Sequence, residues 1–123
     1  MTHWNGTDLE KIGATEELDL QSTRVDGTLR DPVTMWVVSA GGRLYVRSVK
    51  GTAGSWYRGT QSRRQGRIEA GGVTRDVTFH EAAPGEYADV DAAYRDKYGR
   101  YTTIVEHVLT DQARTSTLCL EPR

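Results

Sequence analysis

Residues 33–49 read VTMWVVSAGGRLYVRSV. Val33 to Ala40 is rich in β-branched and aromatic side chains, and Arg43 to Val49 alternates apolar with polar. Gly41-Gly42 between them tolerates the positive φ of a tight turn, so the stretch predicts a β-hairpin. Alternation places Leu44, Val46 and Ser48 on one face and Tyr45, Arg47 and Val49 on the other. The same arrangement recurs downstream, where Arg67 to Ala70, Gly71-Gly72 and Val73 to Glu81 form a second hairpin. There Val73, Arg75, Val77 and Phe79 share a face, and that face should point inward with Arg75 as its exception.

Working outward, Leu18 and Leu20 alternate with polar residues and mark Glu17 to Ser22 as a strand. Asp26-Gly27 signals a turn, and Pro32 enters the next strand at its first residue, where a missing N–H does little harm. Thr115 to Glu121 reads as a closing strand. Three or four short helices are expected. T-x-x-E at Thr7 to Glu10 is a capping-box pattern for a helix through Ala14. Ser55 is placed to cap a short helix from Trp56 to about Arg64. Tyr87 to Tyr98 carries Tyr87, Val90, Asp91, Tyr94 and Tyr98 along one stripe, with Gly99 to end it. Ile104 to Leu109 suits a last short helix. Six strands in hairpins with short helices between them predict an α+β chain built as a partly open antiparallel β-barrel.

The 123 residues suit a single domain, 1–123, large enough to fold without a disulfide or metal staple. Charged residues make up 27% and nearly cancel, at net −1, where a nucleic-acid-binding domain usually carries a clear basic excess. Cys119 is the lone cysteine, so no internal disulfide forms; its place between Leu118 and Leu120 reads as a small buried residue. That thiol usage, with no apolar run of membrane-spanning length, points to the cytoplasm.

His3, His80 and His107 stand apart from one another and from Cys119, which argues against a zinc site. No nucleophile elbow, P-loop or dinucleotide fingerprint occurs. The stretch 43–58, RLYVRSVKGTAGSWYR, does carry a chemical suggestion. A strand ends in Arg47, Ser48 and Lys50, a glycine loop follows, and a helix begins near Ser55. Loop amides and two cations there suit an anion, with Trp56 and Tyr57 able to stack on a planar ring. The same residues also read as a solvated turn with its aromatics in the core. Arg58, Arg63, Arg64 and Arg67 form a second basic stretch, read as a solvated face or as contacts to a phosphate tail. Tyr94 and Tyr98 stand one helical turn apart, either packed on the barrel or offering hydroxyls to a pocket.

The stretch 34–59, TMWVVSAGGRLYVRSVKGTAGSWYRG, with GTLRDP at 27–32, resembles the flavin and deazaflavin oxidoreductases with a split β-barrel. It is most similar to a small bacterial branch near the deazaflavin-dependent nitroreductase-like members. The resemblance runs from about Leu18 to Phe79 and extends to the final strand. It implies an FMN-binding split-barrel-like fold, a homodimer, and a cofactor-binding set of Arg47, Ser48, Lys50, Gly51, Trp56 and Tyr57. Ser55 stands where the family often has proline, and Gly59 where asparagine is common. Together with the residues, the resemblance predicts an oxidoreductase-like protein that uses FMN or a deazaflavin on a small organic molecule. The competing expectation is a cofactor-free small-molecule-binding or accessory biosynthetic protein on the same barrel. Its pocket would be drawn from Trp36, Tyr45, Trp56 and Tyr57, with Tyr94 and Tyr98 at the rim. Neither expectation includes a nucleic-acid or membrane partner.

Overall fold

The structure is a computed structural model and describes residues 3–123. In chain order the elements are α1 (Gly6–Ala14), β1 (Leu18–Ser22), β2 (Val33–Met35), β3 (Val38–Ala40), β4 (Arg43–Val46), α2 (Ser55–Thr60), β5 (Gln65–Ala70), β6 (Val73–Glu81), α3 (Tyr87–Tyr98), α4 (Thr102–Glu106), α5 (Asp111–Arg114) and β7 (Leu118–Pro122). All seven strands join one antiparallel sheet in the order β2-β1-β5-β6-β7-β4-β3. Its two edge strands, β2 and β3, are separated in sequence only by Trp36 and Val37. A sheet whose opposite edges are so tethered must curl until they approach, and this makes it a barrel.

Seven strands replace the six expected because the segment from Val33 to Ala40 breaks in the middle. The backbone of Val37 leaves the ladder and pairs with α3. Its N–H donates to the Tyr98 hydroxyl at 3.2 Å, and its carbonyl accepts from Lys97 Nζ at 2.6 Å. The Tyr98 hydroxyl in turn reaches the Glu16 carbonyl at 2.6 Å. The break therefore leaves no backbone group of Val37 unsatisfied.

Both glycine hairpins form as expected. Gly41 and Gly42 take φ of 60° and 79°, and Gly71 and Gly72 take 58° and 83°, the paired left-handed positions of a type I′ turn. Register pairs Leu44 with Leu120 and Phe79 with Leu120, so the inward residues of β4, β6 and β7 meet. They join Ile12, Leu18, Leu20, Ile68 and Val77 in the barrel interior. Trp4 closes that core, donating its indole N–H to the Leu120 carbonyl at 2.8 Å. Arg75, the polar exception on its face, lies over the Trp4 ring at 6.0 Å. A second core lies between the outer face of the barrel and α3 and holds Val38, Tyr45, Val90, Tyr94, Tyr98 and Cys119.

Helix ends depart from expectation. Asn5, not Thr7, caps α1, its side chain accepting from the Asp8 N–H at 2.8 Å. Gly54, not Ser55, occupies the N-cap of α2, and that helix stops at Thr60 while Arg64 turns to φ 53°. Gly99 follows α3 with φ −58°, so it is not a left-handed cap. β4 ends at Val46, three residues early, because the Ser48 N–H donates to Ser116 Oγ and leaves the ladder.

Candidate functional site

The loop expected to hold a phosphate does not gather its cations. Arg47 follows the alternation onto the outer face of the barrel, where α3 and α5 cover it, and its side chain is fully buried. Nε donates to Thr117 Oγ1 at 2.8 Å, Nη1 to the Val108 carbonyl at 2.8 Å and to Asp91, and Nη2 to the Tyr87 carbonyl at 3.3 Å. Four of its five N–H donors are thus engaged inside the protein. Arg114 of α5 binds the other Asp91 oxygen at 2.8 Å and Asp111 at 2.8 Å. Burial pushes the Asp91 carboxyl up, but the bonds from Arg114 and Arg47 outweigh it and hold the group below its ordinary value. The result is a buried ion-pair chain that fastens α3 and α5 to the barrel. Arg47 is therefore a structural hub, a correction to its reading as a phosphate ligand.

The rest of that loop behaves similarly. Ser48 is buried, and its backbone is bound to Ser116. Gly51 has φ 64° because the 3₁₀ turn Gly51–Ala53 presses on α5. A Cβ there would stand 2.7 Å from the Gln112 carbonyl oxygen. The glycine serves a close approach rather than an open cradle of amides. Tyr57 is buried, with its hydroxyl 3.4 Å from Glu81. Trp56 is half-buried against the interior core, and Lys50 is exposed. Lys50 and Arg47 do not converge.

Among the expected pocket residues, Tyr94 and Tyr98 are fully buried under α3. Trp36 lies flat on Tyr98, with ring centroids 3.9 Å apart and planes within 4°. That stacking occupies one face of each ring. Burial pushes the Tyr98 hydroxyl up to about 12. The Tyr94 hydroxyl lies beside the Arg47 main chain, yet it has no hydrogen-bond partner among the described residues.

Tyr45 is different. It borders a surface trough along β7. One part, of about 230 Å³, is lined by Trp4, Arg43, His80, Glu86, Cys119 and Glu121 among others. An adjoining part of about 240 Å³ shares Arg43 and Glu86 and adds Tyr45 and Asp89. Between them Glu86 accepts from the Tyr45 hydroxyl at 2.6 Å and from Arg43 at 3.3 Å. The Tyr45 hydroxyl and the Arg43 bond draw the Glu86 carboxyl down; burial first, and then Glu86, push the Tyr45 phenol up to about 12. On the opposite wall His80 pairs with Glu121 across the β6–β7 ladder. Cys119, the register partner of both Tyr45 and His80, forms the floor, its thiol pushed by burial up to about 11. A thiol so protonated is a poor nucleophile. What the trough offers is a neutral, partly apolar floor between two carboxylate-centred hydrogen-bonding walls, one of them carrying the His80–Glu121 contact. In the sequence, β-strand alternation puts Cys119 and Glu121 on the same face of the strand and Leu120 on the other, which is signal enough for one wall. The contribution of Glu86, from a turn some forty residues beyond Tyr45, carries no such signal. No group of three or more His, Cys, Asp or Glu side chains among the described residues is placed to hold a metal ion.

A family model described as "Uncharacterized protein conserved in bacteria (DUF2255)" matches residues 8–120. No curated protein matches the chain in sequence. Solved structures share the fold at low identity. A structure of an F420-H2 dependent reductase (FDR-A) is 20% identical and superposes with a TM-score of 0.66, covering 86% of this chain and 94% of that one. A protein solved as a domain-swapped dimer is 19% identical, with a TM-score of 0.66 over 94% and 92% of the two chains. An FAD-binding protein from Mesorhizobium loti is 14% identical, with a TM-score of 0.62 over 98% and 91%. The fold is that of the split barrels.

Proposed function

The chain belongs to the DUF2255 family of bacterial proteins, and on that premise we propose that it is a cofactor-binding split barrel, an oxidoreductase-like protein using FMN or a deazaflavin on a small organic molecule. The observation that supports this reading most is the superposition on an F420-H2 dependent reductase over nearly the whole of both chains. A fold alone does not fix chemistry, so the reading draws on the site as well. Such coenzymes supply hydride transfer themselves, and the protein supplies position and electrostatics, which accords with a site lacking a nucleophile. The residues expected to hold the coenzyme phosphate do not fit as a set, since Arg47 is internally engaged. Lys50 and the half-buried indole of Trp56 remain accessible to it, and Tyr45 borders the trough. The protein acts in the cytoplasm as a homodimer in this reading, in keeping with a structural neighbour solved as a domain-swapped dimer.

The buried state of Arg47 favours a second reading, a cofactor-free binding protein whose ligand occupies the trough. A thermal-shift panel separates the two. FMN, FAD, F420 and a set of small organic acids, amines and aromatics are each added to the purified protein. Ligand at a hundredfold over Kd stabilises a native fold by about 2.7 kcal/mol, a clear rise in Tm. A rise with a flavin or deazaflavin supports the first reading; a rise with other molecules and none with these coenzymes supports the second.

A further inference from the structure

We infer that the hollow between the Thr23–Leu29 loop and the start of β5 is a binding site for a phosphate or diphosphate group of a small ligand. It measures about 220 Å³ and is lined by Thr23, Arg63, Gln65, Arg67, Asp76 and Arg123, among others. Arg63, Arg67 and Arg123 line it against the single acidic side chain of Asp76, so the lining side chains carry an excess of positive charge. Two other hollows differ. The one beside β1 gathers Glu16, Glu17, Asp19 and Glu69 with no cation, and the part of the trough beside His80 sets Glu81, Glu86 and Glu121 against Arg43. An anion is drawn to a concavity whose lining carries an excess of positive side chains.

The geometry of the two central arginines supports this. Arg63 donates from Nη1 to the Val25 carbonyl at 3.1 Å, which holds the guanidinium over the loop beside Gly27. Arg67 binds Asp76 through Nε at 2.8 Å, and its Nη1 and Nη2 make no hydrogen bond among the described residues. A fork steadied at Nε with both Nη groups presented outward is the arrangement that grips two phosphate oxygens. The Thr23 hydroxyl and Gln65 amide stand at the same walls as neutral partners. The basic stretch of the sequence thus divides. Arg64 turns to Glu81 at 3.6 Å, whereas Arg63 and Arg67 both line the hollow. The cation role first sought at Arg47 is filled here by residues that no internal carboxylate buries.

The inference deepens the proposed function, since FMN and F420 carry phosphate, but it stands on its own chemistry. Inorganic pyrophosphate is titrated into the full chain at low salt by calorimetry and ¹H–¹⁵N NMR. The expected result is saturable binding that shifts the amides of Thr23, Gly27, Gly66 and Arg67 and weakens as salt rises. Arg63→Gln and Arg67→Gln should each weaken it about tenfold, the loss of a charge-assisted pair. Asp76→Asn should tighten it severalfold by releasing Arg67 from its competing carboxylate, a gain that a purely structural role for these residues does not produce. Arg95→Gln, an exposed arginine on α3, is the charge-matched control and should change nothing. Absence of binding, equal losses in Arg67→Gln and Arg95→Gln, or no gain in Asp76→Asn overturns the inference. A titration of riboflavin beside FMN separates the two proposals. Flavin binding with no advantage for FMN would leave the coenzyme reading standing and remove this site. Pyrophosphate binding with no response to any flavin or deazaflavin would do the reverse.

Discussion

Two tyrosines one turn apart on α3 are expected to respond oppositely to the loss of a single oxygen. The Tyr94 hydroxyl is buried without a partner among the described residues, while that of Tyr98 bridges Val37 and Glu16. Tyr94→Phe removes an unsatisfied polar atom and should leave stability unchanged or raise it by about 1 kcal/mol; Tyr98→Phe should cost about 1–3 kcal/mol. Urea unfolding of the two variants checks the sign. Asp91→Asn should be more severe, about 3–5 kcal/mol, because it leaves the Arg47 charge buried and weakly compensated. Asp91 has its carboxyl held below the ordinary value of 3.8, so its contribution is present above that pH and is lost as pH falls through the lower folded value. The stability difference between the natural protein and Asp91→Asn should therefore shrink in acid, below about pH 4. Lys97 gives the same sign in the alkaline range, from an opposite cause: its charged form is the one the fold disfavours. Burial lowers its ammonium from 10.5 to about 8, so between those values the unfolded chain holds more protons and stability rises with pH. Denaturant unfolding at pH 7.5 and pH 9.5 should show the natural protein gaining on Lys97→Met over that step; a constant gap would show that Lys97 does not titrate there.

At the scale of elements, the two glycine hairpins and α3 were legible because their signals are local. Gly-Gly pairs set the turns, and a 3.6-residue stripe set Tyr87–Tyr98 to its observed ends. What the sequence hid depends on partners far along the chain. The break at Trp36-Val37 is made by Lys97 and Tyr98, some sixty residues away, against a local propensity that favours continuous strand. Arg47 was put on the correct face by alternation, but nothing near it announces that α3 covers that face with Asp91. The isolated cation looked free because its counter-charge lies on another element. The short α5 was missed, being four residues long, and with it Arg114. A Gly51→Ala substitution tests the packing of this region. It forces a Cβ toward Gln112 of α5 at positive φ, and it should destabilise by about 1–3 kcal/mol in thermal or urea unfolding, where a free loop would tolerate it.

For the molecule as a whole, the barrel closes because its edge strands are consecutive in the chain, and one helix, α3, covers the outer face of β3, β4 and β7. The face over β1 and β5 carries two hollows of opposite charge, acidic at one end and basic at the other. The shared split-barrel fold, the trough and the basic hollow are the features on which the proposed ligand binding rests. The most direct test is a calorimetric titration of the purified full chain with FMN and, separately, with F420. The account predicts saturation by one of them, with one equivalent per chain and a raised Tm for the saturated protein. No heat and no change in Tm with either, at concentrations where the folded protein is intact, would contradict it and leave a barrel that binds something other than a flavin-type coenzyme.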